Sequence, residues 1–386
     1  MKILYITRNN LELPRSSGIN KKILGILNAF ESYGFETFLL SSRKNQIILR
    51  NNKTVKQKKN LSIIKRYLFF SNYKKIIEII NEMNPGIILI RNPISEYFFL
   101  KFLKQLKTQN PKIIVIIEFP SFPYNNEWRM EKQSSRRLIN FIKLKVDSFY
   151  RKKLHSSVDF CINYTANYRN IYNIPSIFIQ NAINTDELTA AKKPDINDEF
   201  HLIGAANISI WHGWDRIIEG LHEYYKNNEK KLKVFFHIMG KGIEKKRLEK
   251  LTRKFDLNDF VIFHGEKKGT ELDDLYNKSH IGVGSFGMHR IGLKENTTLK
   301  IREYCAKGLP FIFGYNDIDF PKNDKYWLQF REDETPIEIL KIIDFYNKIK
   351  DKDYREYLIK YAKENLSWKD KIQPLIKKIK EIKKVM

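Results

Sequence analysis

Residues 280–313 read HIGVGSFGMHRIGLKENTTLKIREYCAKGLPFIF, and the fold is decided here. Ile281–Val283 is apolar and runs into a loop rich in Gly and Ser. Glu295 and Glu303 follow, with seven residues between them. Leu299, Ile301, Glu303, Tyr304 and Ala306 mix apolar and polar types on a short helix, and Lys307-Gly308 ends it with a basic last turn and a C-cap glycine. Pro310 then opens a second apolar run. The order is strand, loop, helix, strand.

A loop that ends at a helix start offers backbone N–H groups and the positive end of the helix dipole to an anion. Thr297, Thr298 and Leu299 stand at that start. Carboxylates beside it can accept hydrogen bonds from sugar hydroxyls, so the segment fits a nucleotide-sugar diphosphate. The stretch resembles the donor-site signature of retaining glycosyltransferases of the GT-B fold, family 4 in particular. Their pattern is Glu, seven residues, Glu, then a small-residue helix ending in Gly-x-Pro. Glu295, Glu303 and Gly308-Leu309-Pro310 match it in register. The resemblance implies an α/β chain of two Rossmann-like, doubly wound domains facing a central cleft, with the C-terminal helix crossing back to the first domain. It also implies Glu303 on the donor ribose, Glu295 on the transferred sugar, and donor contacts at Thr297, Thr298 and Leu299.

Working outward, strands alternate with helices through the first half, which argues for parallel sheets with helices on both faces. Strands are expected at 2–7, 36–40, 87–90, 112–117, 158–163 and 176–179, and helices at 19–32, 61–83, 95–106 and 132–155. Residues 180–199 lose the apolar period and read as a linker. The alternation restarts with strands at 200–204, 232–239 and 260–263 and helices at 214–227, 245–255 and 271–277. Expected domains are 1–185, acceptor-binding and joined by a last helix at about 366–386, and 186–365, donor-binding. Ser367-Trp368 resembles the family at the crossover.

Further candidates lie after strands, where open α/β sheets bind ligands. Gly18, in PRSSGINKK (14–22), gives a tight turn in which the resemblance implies approach to the diphosphate or acceptor; an ordinary turn needs the same glycine. In IGAANISIWHGWDRIIEGL (203–221), the family grips the phosphates with an Arg and a Lys five residues apart. Here Asn207 and His212 take those places, so the chain departs from the pattern at both basic positions. Arg290 is a candidate replacement, since a guanidinium suits phosphate bidentately. Gly240, in HIMGKG, and Gly265, in FHGEK, permit close backbone approach to a nucleotide, or are plain turns. Glu118 falls at a strand's carboxyl end, where it can serve as a base for the acceptor hydroxyl, orient the sugar, or form a salt bridge. Many family-4 enzymes carry a His in this region, and this chain has none there. Asp317-x-Asp319 and Asp273-Asp274 read as solvated charges, not metal ligands. No metal or other cofactor is expected.

The 386 residues carry a net charge of +26, and 42% are apolar, enough for packed cores. No stretch approaches the roughly 20 apolar residues of a membrane span. Met1–Asn10 reads as a first strand, and Cys161 and Cys305 lie far apart, so a cytoplasmic location is expected. The charge reflects Lys-rich composition throughout, or a surface in peripheral contact with an anionic membrane at its inner face. A glycan or lipid-linked acceptor, in capsule or other surface-polysaccharide synthesis, fits both. A sugar-nucleotide epimerase of GT-B architecture and a polyanion-binding protein are the alternatives. The basic residues are spread widely without interleaved aromatics, so nucleic acid is not the expected partner.

Overall fold

Short, unbroken apolar runs such as Ile87–Ile90 and Ile113–Ile117 are buried on both sides, as strands covered by helices on both faces require. The computed structural model describes residues 1–11, 17–43, 46–51, 55–60, 66–125, 134–165, 168–185, 188–194, 198–226, 232–267, 269–322 and 324–385. Residues Pro14, Arg15 and Ser16 of the expected Gly18 turn, parts of the expected linker, and the first residues of the helices expected at 61 and 132 lie outside the described set. The chain forms two compact units, Met1–Ala182 with Trp368–Met386, and Ile183–Ser367.

The first unit carries strands β1 (Lys2–Ile6), β2 (Glu36–Arg43), β3 (Gln46–Asn51), β4 (Val55–Asn60), β5 (Ile87–Arg91), β6 (Ile114–Phe119), β7 (Phe160–Asn163), β8 (Asn170–Ile171) and β9 (Ile174–Phe178). Their order across one sheet is β4-β3-β2-β1-β5-β6-β7-β9-β8. From β2 to β9 the neighbours run parallel. A hairpin of β3 and β4 extends one edge antiparallel, and β8 does the same at the other. The hairpin was not foreseen. Its outer strand, VKQKKN, has the polar, Lys-rich character that edge strands use against further pairing, and so lacks an apolar signal.

The last helices belong to this unit for a local reason. Trp368 is buried, and its indole lies where a side chain on Gly25 of the helix Ser17–Ser32 would stand: a Cβ there would come within 2.2 Å of the ring. Tyr33 Oη donates to the Lys369 carbonyl at 3.1 Å beside it. The helix Gln373–Val385 completes the packing, with Leu375, Ile376 and Ile379 buried.

The second unit carries β10 (Glu199–Ala205), β11 (Lys233–Met239), β12 (Val261–Gly265), β13 (Ile281–Val283), β14 (Phe311–Phe313) and β15 (Trp327–Gln329). All pair in parallel, in the order β12-β11-β10-β13-β14-β15. Strand order reverses between β10 and β13, and doubly wound sheets in general bind ligands at the carboxyl ends of the strands beside such a point. Strand β15 and the helix Ile339–Asn347 were not foreseen. His201, His237 and His264, on β10, β11 and β12, form a chain of imidazoles, with ring nitrogens 3.0 Å and 2.9 Å apart. Among the described residues, no helix is long and apolar enough to cross a membrane.

Candidate active site

Two aromatic side chains cover the reversal point. Gly204 and Gly282 lack a Cβ where Trp214 and Tyr304 respectively lie against the strands. Trp214 Nε1 donates to the Gly284 carbonyl at 2.9 Å, and Tyr304 Oη donates to the Val283 carbonyl at 3.2 Å. The loops beyond β10 and β13 are tied together, Phe286 N–H to the His212 carbonyl (2.8 Å) and Gly287 N–H to the Trp211 carbonyl (3.1 Å). Gly213 makes this approach possible, with φ +59° and backbone atoms of 286–287 within 2.7 Å of a would-be Cβ.

The helix Leu299–Ala306 starts over this point, with Ile301 packed at Gly284. Thr298 is its N-cap residue but does not cap with its side chain; its hydroxyl lies 2.5 Å from Tyr315 Oη. The N–H groups of the first turn have no acceptor within the helix itself. Gly308, at φ +69°, ends the helix, with Leu309 N–H on the Tyr304 carbonyl. Thr297 is buried, and Leu299 is half-buried. Glu295 is exposed, its backbone fixed by a bridge to Asn316, and Glu303 is half-buried on the helix near Tyr276 and Tyr304. The two glutamates therefore flank the helix start, one before it and one a turn into it.

Lys300 was missed by sequence reasoning. It extends from the first turn until its Nζ lies 4.5 Å from the centre of the Trp214 ring. The stem is partly exposed, yet Nζ is covered and has no hydrogen-bond partner among the described residues. Burial pushes the ammonium well below the usual lysine range. The same cation, after burial, pushes His212 well below its ordinary value. His212 Nδ1 accepts from Ser209 N–H at 2.9 Å, which leaves the ring proton of the neutral form on Nε2. So a cation does stand beside His212, but it comes from the helix, not from the loop where the pattern puts it. Asn207 is exposed near the start of the same loop.

Arg290 is a correction. It is not open to phosphate: its guanidinium reaches Asp215 (2.9 Å), Glu334 (2.9 Å) and the Ile210 carbonyl (3.2 Å). It braces the loop after β13 against the helix Asp215–Lys226. Asp317 and Asp319 are a second correction. They are buried, not solvated; Arg302 holds Asp317 bidentately at 2.8 Å per bond and also reaches Asp319. Asp273 pairs with Lys307 at 3.0 Å.

Gly240, at φ +118°, lets the Ala206 carbonyl approach to 1.8 Å of a would-be Cβ, so it joins the loops beyond β11 and β10. Gly265, at φ +68°, faces open space, as does Gly18 in the first unit. Glu118, also in the first unit, is fully buried against Arg91 (2.8 Å) and Lys22 (3.3 Å) and accepts from Tyr5 Oη. Burial would raise its carboxyl, but Arg91, Lys22 and Tyr5 outweigh it and hold it below the usual range. An acid so stabilised as the anion is a poor base, and Glu118 reads as the centre of a buried charge cluster. Among the described residues, no group of three or more His, Cys, Asp or Glu is placed to hold a metal ion.

Residues 186–317 match the family described as Glycosyl transferases group 1. Solved structures similar over the chain include a sucrose-phosphate synthase from Thermosynechococcus elongatus, with TM-score 0.68, 13% identity and 100% of both chains covered. A glycosyltransferase from Rickettsia africae gives 0.64 and 14%, covering 99% of this chain and 98% of that one. The Anabaena protein HepE, solved with UDP-glucose, gives 0.61 and 11%, covering 99% and 100%. No curated protein matches the chain by sequence. The fold is GT-B, and the second unit carries a glycosyltransferase domain, which makes the chain a glycosyltransferase by class.

Proposed function

We propose that this glycosyltransferase moves a sugar from a nucleoside-diphosphate sugar to an acceptor hydroxyl, with retention, in the synthesis of a surface polysaccharide or glycoconjugate. The second unit binds the donor and the first takes a glycan or lipid-linked acceptor. The diphosphate sits at the start of the helix Leu299–Ala306, with Lys300 as its cation and His212 and Asn207 as hydrogen-bond donors. Glu303 accepts from the ribose hydroxyls and Glu295 from the sugar. The acceptor oxygen bonds to the anomeric carbon on the face from which the diphosphate leaves. The breaking C–O pair goes to the diphosphate, which also takes the acceptor proton. Stabilising that leaving group is the main catalytic term. Charge at the site comes from the ammonium and the helix start, so metal independence is part of the proposal.

One observation carries this reading: a covered ammonium without a hydrogen-bond partner among the described residues, at the start of a helix flanked by Glu295 and Glu303, at the strand-order reversal. It also supports transfer by electrostatic stabilisation in place of a covalent nucleophile. Thermal shift against a panel of nucleoside diphosphates and their sugars tests it, because a ligand that binds the folded state raises the melting temperature. A shift confined to one nucleoside supports the reading, and no shift with any of them overturns it.

A further inference from the structure

The first unit presents an apolar helix face to solvent. On the helix Ser134–Tyr150, Leu138 is 66% exposed, Phe141 56%, Ile142 53% and Phe149 61%, and Ile139 and Val146 are exposed too. These form one broad stripe, since Leu138, Ile142, Val146 and Phe149 follow one another at helical spacings of four, four and three. Large apolar side chains gathered in this way mark an interaction surface. The helix is held from its opposite side. Asp147 is buried and accepts from Tyr124 Oη (2.7 Å) and Ser95 N–H (2.8 Å). The exposed stripe is therefore fixed outward.

Charge decides what covers it. Lys145 lies within the stripe and Lys152 and Lys153 follow at its end, all exposed. Lys145 Nζ lies 5.5 Å from the Phe141 ring centre and Lys153 Nζ 4.7 Å from that of Phe149. Asp147, the one carboxylate in the segment 138–153, is turned inward. A second copy of the face would set lysine against lysine, on a chain whose net charge is already +26. An anionic lipid surface meets both parts of the pattern, the apolar stripe entering the acyl boundary and the ammonium groups resting among lipid phosphates.

We propose that this helix docks the chain in the plane of an anionic membrane, with Leu138, Ile142, Val146 and Phe149 inserted and Lys145, Lys152 and Lys153 at the headgroups. The inference rests on the helix alone and stands whether or not the donor site is read correctly.

The test is co-sedimentation of the full chain with vesicles of phosphatidylcholine containing about one-third phosphatidylglycerol, and with phosphatidylcholine alone. The wild type should bind the anionic vesicles and keep much of that binding at high salt, because the apolar part is not screened. Ile142→Asn with Phe149→Ser should lower binding at least about tenfold, with an unchanged melting temperature, as both side chains are exposed. Lys145→Glu with Lys152→Glu and Lys153→Glu should remove the preference for the anionic lipid. Wild-type failure to bind overturns the proposal. So does apolar-variant binding equal to wild type, which would leave the general basic surface responsible. A wild-type dimer in solution that the apolar variant converts to monomer overturns it too, in favour of a second copy as the occupant.

Discussion

Lys300 Nζ stands 4.5 Å from the ring centre of Trp214, covered, and without a hydrogen-bond partner among the described residues. A single indole face offsets only part of the cost of burying an ammonium. Lys300→Met keeps the stem and drops the charge. It should stabilise the ligand-free protein, by about 1 to 3 kcal/mol. Chemical denaturation measures this, and a loss of stability would show that the ammonium is already satisfied in the folded chain.

The same burial has a consequence for protons. Lys300 is held below the usual lysine range in the free protein, and a diphosphate beside it would raise it again. Donor binding should therefore take up protons over the pH range in which the free ammonium titrates. Calorimetry across pH, in buffers of differing ionisation enthalpy, should find an uptake that peaks at up to about one proton per nucleoside diphosphate, reduced in Lys300→Met. Equal uptake in both proteins would assign the effect to another group.

The imidazole chain predicts acid sensitivity. Burial, then Lys278, pushes His201 down to about 4, and burial, then His201 and His264, pushes His237 down to about 3. Unfolded histidine titrates near 6.5, so the unfolded state binds more protons as pH falls below that value. The stabilisation is complete above about pH 6.5 and is lost progressively toward about 3. Between roughly pH 6.5 and 5.5, above the range of most carboxylates, the melting temperature should fall by at least about 3 °C. The double variant His201→Phe with His237→Phe should flatten that slope. A flat wild-type profile would contradict it.

Arg302 pairs with both Asp317 and Asp319 in the interior. Arg302→Leu would leave two buried carboxylates facing each other and should cost about 3 to 5 kcal/mol. Urea denaturation measures this. A cost under about 1 kcal/mol would mean the pair is hydrated.

Gly25 offers a test of the returning tail. Alanine gains about 1 kcal/mol of helix propensity over glycine, but its Cβ would meet the Trp368 ring, and displacing a packed indole costs about 1 to 3 kcal/mol. Gly25→Ala should thus destabilise the chain and change Trp368 fluorescence. Stabilisation would contradict the docking.

Much of this was legible in sequence because it was local. The alternation of apolar runs and helices gave both sheets, and Gly308 marked the helix end it occupies, at φ +69°. What escaped was non-local or unpatterned. Lys300 reads as one more lysine on a helix until the fold sets it against Trp214, 86 positions away in chain order. Arg290 carries the charge a phosphate would need, yet Asp215 and Glu334 reach it only in three dimensions. Asp317 and Asp319 looked solvated because their partner Arg302 lies on another element. Strand β4 is polar because it is an edge.

The most direct measurement is calorimetric titration with the nucleoside diphosphate that shifts the melting temperature, on wild type, Glu303→Gln and Lys300→Met. Removing a charged partner of the ribose or the diphosphate should weaken binding at least about tenfold in each variant, while Lys322→Met, far along the chain at an exposed position, should leave it unchanged. Wild-type affinity retained in both site variants would contradict a donor site at the start of the helix Leu299–Ala306.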